Sequence, residues 1–255
     1  IGGFVPALVC GVAVGNVLQG LPFRLDSDLR AFYEGTLLGL FSPFALMTGL
    51  LSVAMIVLHG AGFLATKIEE GPVLERARRI GTAAALVSFV LFALGGVWVA
   101  TGQMGFRIEG IVDSMGPSNP RYVPALPAPG AWLDNYGQHP WMLLAPILGL
   151  AGPLVALVGI RSRSHLINLA GSSMATIGII ATVGLSMFPF ILPSAIDPQS
   201  SLTAWNASSS HLTLWIMLLV TLIFLPIVLA YTAWAMRVMF GRVSIEQVRT
   251  NPDFY

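Results

Sequence analysis

Six apolar stretches, near residues 1–20, 40–64, 80–101, 140–160, 166–191 and 211–237, are separated by short polar connections. A hydrocarbon core about 30 Å thick needs roughly 20 helical residues to cross it. Each stretch meets or approaches that length, so the pattern predicts six transmembrane helices. Helices satisfy their own backbone hydrogen bonds, which lipid cannot do for them. The fold class expected is therefore all-α and integral to a membrane.

The connections then fall on alternate sides. One side collects Lys67, Arg76, Arg78, Arg79, Arg161, Arg163, Arg237, Arg242 and Arg249, nine basic residues. The other has four, Arg24, Arg30, Arg107 and Arg121. Cytoplasmic connections carry the excess of Lys and Arg. Residue 1 and the C-terminus are both expected on the cytoplasmic side. Residues 69–79 read as a turn on that side followed by the basic start of the next helix. The 102–138 connection holds Pro117, Pro120, Pro124, Pro127, Pro129 and Gly130. It reads as a loop of turns and extended pieces on the outer side.

Composition narrows the function classes. Charged residues are 10% of the chain and the net charge is +1, which gives no field suited to nucleic acid. Cys10 is alone in an apolar run, so it is expected to be a buried thiol, with neither a disulfide nor a cysteine metal site in this chain. The sequence opens Ile-Gly-Gly-Phe inside an apolar segment, and a piece of a longer polypeptide is expected.

Polar groups at membrane depth are costly and mark candidate sites. His59 lies about 10 Å below the midplane at 1.5 Å per residue, where imidazole relays protons, ligates a metal or bonds a carbonyl. Gly60 and Gly62 beside it suggest close helix contact. Asn16 and Gln19 sit at the outer end of the first segment, placed to bond across helices or to hold a neighbouring loop. Pro189 is expected to kink or unwind the fifth segment. Beyond it, in residues 200–211, Trp205 suits a headgroup anchor and a serine of this stretch can cap the last helix. Haem ligation by His211 is conceivable, with capping and packing favoured. Asn206 opens an Asn-Ala-Ser sequon, a common triplet given no weight. His139 and His165 flank the fourth segment as surface residues. Neither a Gly-rich phosphate loop nor a nucleophile triad appears.

Several pieces occur in one order along the chain: Gly15-Asn16-Val17-Leu18-Gln19-Gly20-Leu21-Pro22-Phe23, His59-Gly60-Ala61, Gly95-Gly96-Val97-Trp98, Gly130-Ala131-Trp132-Leu133, Met187-Phe188-Pro189-Phe190, Ser201-Leu202-Thr203-Ala204-Trp205-Asn206-Ala207-Ser208-Ser209 and Tyr231-Thr232-Ala233-Trp234. This set resembles subunit II of the cytochrome bd-type quinol oxidases, over the C-terminal two-thirds of that family. The resemblance implies about nine helices in two four-helix bundles with one extra helix between. Segment 1–20 then closes the first bundle, 40–64 is the peripheral helix, and the second bundle lies within 80–240, followed by a cytoplasmic tail at 241–255.

The same resemblance implies a role in oxidising quinol and reducing dioxygen to water in the bacterial cytoplasmic membrane. Two b-type haems and one d-type haem belong to the partner, subunit I. This chain is expected to bind no cofactor and to contribute no catalytic residue, because the family's acidic proton-route residues lie in early helices it lacks. It supports assembly and proton supply. Membrane lipid, quinone and a small accessory subunit are further expected partners. A multi-pass secondary transporter is the competing reading. Its polar midplane site and paired broken helices have one match at most, at Pro189. A tight-packing face is expected around Gly81, Ala84 and Ala85, with Gly96 also at a close contact.

Overall fold

In the computed structural model, residues 2–102, 105–110 and 124–238 are described. Helices account for most of them: α1 (Phe4–Gln19), α2 (Pro43–Lys67), α3 (Pro72–Thr101), a short α4 (Asp134–Gln138), α5 (Leu144–Arg161), α6 (His165–Met187) and α7 (His211–Val238). Five spans are long and apolar enough to cross a membrane, Pro43–Lys67, Pro72–Thr101, Pro140–Arg161, His165–Met187 and His211–Val238. The sixth expected span is shorter. At 1.5 Å per residue, the 16 residues of α1 cover about 24 Å.

Two boundaries move for local reasons. α3 starts at Pro72, where a missing N–H costs nothing in a first turn, so Arg76, Arg78 and Arg79 form the basic start of this helix. Arg78 answers Glu70 of the preceding turn with two parallel bonds of 2.7 and 2.6 Å, the fork geometry that guanidinium favours. At the other boundary α6 ends at Met187. Phe188 is extended at φ −55°, ψ 131°, as a residue before proline prefers.

α2 is central. It packs on α1, α3 and α6, while α5 packs on α6 and α3. The α5–α6 seam is built on absent side chains: a Cβ on Gly152 would lie 2.2 Å from the Ala175 amide nitrogen, and one on Gly171 2.2 Å from that of Ala156. Small residues let backbones meet where lipid supplies no hydrophobic push. The expected face on α3 behaves the same way, with Ala84 and Ala85 buried and Gly81 against Ala61. Gly96 does not, since nothing lies within 4 Å of its Cβ direction. Gly60 is likewise open, and close contact falls on Gly62 alone.

Within this chain the second segment, α2, touches three other helices, whereas α7 has no buried residue. Apolar around its whole circumference, α7 has no stripe to direct it onto the other helices. Cys10 also departs from expectation. It is exposed, because α1 buries the face carrying Gly11, Val12 and Gly15 against α2.

The connections between helices alternate ends as the charge pattern requires. Turns at 68–71 and 162–164 lie at the arginine-bearing end. Three longer connections meet at the opposite end, each containing a small antiparallel ribbon: β1 (Phe23–Leu25) with β2 (Ala31–Tyr33), β3 (Phe106–Ile108) with β4 (Ala125–Pro127), and β5 (Phe190–Leu192) with β6 (Leu202–Thr203). Gly105, at φ +135°, turns the chain into β3 where a side chain would strike the Ala128 carbonyl. Together these connections form a folded cap over the helix ends. Arg121, Arg242, Arg249, Pro117, Pro120 and the 241–255 tail lie outside the described residues.

Candidate functional site

Two polar regions stand out, one in the cap and one between helices near the arginine-bearing end. The cap is anchored on the close of α1. Asn16 is buried and its amide donates to the carbonyls of Val12 at 2.8 Å and Leu40 at 2.7 Å. Ser42 donates to Gln19 Oε1 at 2.6 Å and accepts from the Ala45 amide at 3.1 Å, capping α2. Asn16 thus holds the connection ahead of α2 through Leu40, and Gln19 meets the Ser42 cap of α2.

The second element of the cap is the 188–210 connection. Asn206 is 3% exposed, and its Oδ1 accepts from the Thr203 amide at 2.6 Å and the Thr203 hydroxyl at 2.9 Å. Its Nδ2 donates to the Ser201 carbonyl at 3.0 Å. A side chain so occupied is a loop brace. Trp205 meets the edge of Phe188, with centroids 5.1 Å apart. Ser210 accepts from the Thr213 amide at 3.4 Å and caps α7, with His211 exposed on the first turn beside it.

Residues not singled out by sequence reasoning complete the cap. Trp132 donates to the Leu18 carbonyl at 3.0 Å and joins an aromatic core with Phe44, Phe106 and Phe190. Asn135 donates to the carbonyls of Leu185 at 2.8 Å and Phe188 at 2.6 Å, satisfying the open end of α6. Ser194 donates to the Phe23 carbonyl, and Ser200 accepts from the Leu25 amide at 2.9 Å. Arg107 pairs with Asp134. Tyr136 bonds the Ser186 hydroxyl at 2.7 Å. Burial raises the Tyr136 phenol above its ordinary range, and the bond to Ser186 partly offsets this. The sequence pieces around Trp132 and Asn206 that carry the family resemblance were the available signal. Their partners lie far along the chain and no local pattern names them.

His59 belongs to the other region. Half-buried on α2, its Nδ1 lies 3.2 Å from the Ser172 hydroxyl of α6. Ser172 is wholly buried and Asn168, one turn away on the same helix, is 2% exposed. A Cβ on Gly62 would stand 2.9 Å from the Ser172 oxygen, so α2 and α6 meet too closely here to admit a porphyrin plane between them. Sequence reading found His59 and missed its partner Ser172 and the nearby Asn168, which look like ordinary polar residues within an apolar run. Of the candidates, Asn16 and Gln19 share one latch, Trp205 and Asn206 share one loop, and His59 stands apart from both. Among the described residues no group of three or more His, Cys, Asp or Glu side chains is placed to hold a metal ion.

Residues 1–239 match the family described as cytochrome bd terminal oxidase subunit II. The chain is 41% identical over 251 residues to cytochrome bd-I ubiquinol oxidase subunit 2 of Escherichia coli K12, covering 98% of this chain and 66% of that protein. It is 36% identical over 250 residues to the probable cytochrome oxidase subunit 2 of Haemophilus influenzae, with the same two coverages. The chain thus spans 66% of the length of these curated relatives. Among solved structures, bd oxidase from Geobacillus thermodenitrificans aligns with a TM-score of 0.62 at 16% identity, over 93% of this chain and 62% of that one, a likeness of fold. The chain belongs to the cytochrome bd terminal oxidase subunit II family.

Proposed function

We propose that this chain works as the haem-free subunit II of a quinol oxidase that reduces dioxygen to water, with haems and quinol oxidation on the partner subunit I. The observation that carries the reading is 41% identity to a ubiquinol oxidase subunit 2 across 98% of the chain. Its own chemistry fits a supporting role. His59 is engaged with Ser172 at a tight helix contact, and His211 sits exposed on another element. The polar groups of the cap are spent on carbonyls and amides of the chain itself. Asn16, Gln19, Trp205 and Asn206 are therefore assigned as structural residues, and no residue is assigned a catalytic role.

In the complex, two b-type haems and one d-type haem reside in the partner, and a small accessory subunit, lipid and quinone are further neighbours. The location is the bacterial cytoplasmic membrane, with the arginine-bearing end and the C-terminus in the cytoplasm, following the excess of basic residues. α7, apolar on every side, is the helix with most to gain from neighbours in the assembled protein and closes the second bundle of the family plan there. The transporter reading has no comparable support.

The test is spectroscopic. His59→Gln and His211→Gln variants of the full-length protein, purified with their partner, are expected to keep the full complement of haem absorption bands. Loss of one haem per complex in either variant would overturn the haem-free assignment.

A further inference from the structure

The region around His59 contains an unmet hydrogen-bonding demand. Asn168 Oδ1 is buried and has no partner, a state that costs on the order of 1–3 kcal/mol when left unmade. Buried polar atoms nearly always have a partner, and an exception commonly marks a bound water or ion. The atom is an acceptor, so what satisfies it must be a donor. The helices are closely packed around the residue: Ser172 lies one turn on, a Cβ on Gly159 would stand 2.3 Å from the Asn168 amide nitrogen, and one on Gly62 2.9 Å from the Ser172 oxygen and 3.5 Å from the Asn168 carbonyl.

The Ser172 hydroxyl orients the contact with the imidazole of His59. The Ser172 hydroxyl has a single proton and donates it to the Leu169 carbonyl at 2.9 Å. The 3.2 Å contact to His59 Nδ1 is then one in which the ring donates and Ser172 accepts. By the helical rise, Asn168 lies about 4.5 Å and Ser172 about 10 Å inside the start of α6 at His165. His59 lies about 12 Å inside the end of α2 at Lys67. Asn168, Ser172 and His59 are thus successive steps inward from the arginine-bearing end, past Arg161 and Lys67.

We propose that the α2–α6 contact is a water site, in which a water molecule donates to Asn168 Oδ1 and extends access from the arginine-bearing end to the imidazole of His59. The polar residues His59, Ser172 and Asn168 thereby form an inlet roughly one third of the way through an otherwise apolar layer. The inference stands apart from the oxidase reading, because it concerns water within this chain whatever its partner does.

Exchange of the imidazole C2 hydrogen for deuterium, followed by mass spectrometry of the full-length protein in native membranes, tests it. His139 and His211 of the same chain serve as exposed references. His59 is expected to exchange within about tenfold of them, Asn168→Leu to slow it by more than tenfold, and Asn168→Ser to restore most of the rate. A His59 that fails to exchange in the native chain overturns the proposal without any variant. An unchanged rate in folded Asn168→Leu, with the references steady, overturns the route through Asn168.

Discussion

Trp132 and Leu18 are joined by a 3.0 Å bond from the indole N–H to the backbone carbonyl across 114 residues of sequence. One side chain of the 102–138 connection thereby closes the last turn of α1. Trp132→Phe keeps much of the ring volume but strands that buried carbonyl, at a cost of about 1–3 kcal/mol. Trp132→Ala adds a cavity and is expected to cost about 3–5 kcal/mol. Thermal unfolding of the detergent-purified complex should rank native above Phe above Ala; equal melting temperatures would remove Trp132 as the cap's anchor.

The α5–α6 seam leaves no space where Gly152 meets Ala175, so Gly152→Leu should prevent the two helices from docking. Gly96→Leu meets nothing within 4 Å in this chain and should leave its fold intact. Quantifying folded protein in membranes for the two variants separates the sites. Equal accumulation of both would contradict the seam.

Ser88 is wholly buried with an unpartnered hydroxyl. Removing a buried polar atom that makes no bond relieves its desolvation cost. Ser88→Ala is expected to be neutral or to stabilise by about 1 kcal/mol, read as a rise in melting temperature. A clear fall would show that the hydroxyl has a partner in the membrane.

Tyr136 gives the cap an alkaline limit. Its phenol is raised in the folded protein above the ordinary value of 10.0, chiefly by burial. The folded state then holds its proton where the unfolded state has lost it. Stability contributed by the neutral phenol is full below pH 10 and declines as pH rises through the folded value. Tyr136→Phe should flatten that decline above pH 10 in melting curves, and an unchanged slope would rule Tyr136 out as its source.

Much of the helical plan was legible because apolar runs must be about 20 residues long to span lipid, and the alternation of basic connections followed from the same count. Boundaries were less legible. Pro72 starts α3 a turn ahead of Arg76, Arg78 and Arg79, which were legible as the basic start of a helix, while the pairing of Glu70 with Arg78 was not. The first segment gave no sign that its helix would be only 16 residues. The cap was the least readable region: its strands are two or three residues long, too short for alternation to register, and Trp132, Asn135, Ser194 and Ser200 act on partners tens to hundreds of residues away. Asn16 and Gln19 were found because amides in apolar segments are conspicuous. Asn168 and Ser172 were not, since a single polar residue on a helix acquires meaning only from what faces it.

The most direct test of the supporting role is to affinity-purify the full-length chain from its native membrane and measure what accompanies it. A larger haem-bearing subunit at one-to-one stoichiometry, holding all the haem and oxidising quinol with oxygen, is the expected result. Recovery of this chain alone, or with haem bound to its own histidines, would contradict the account.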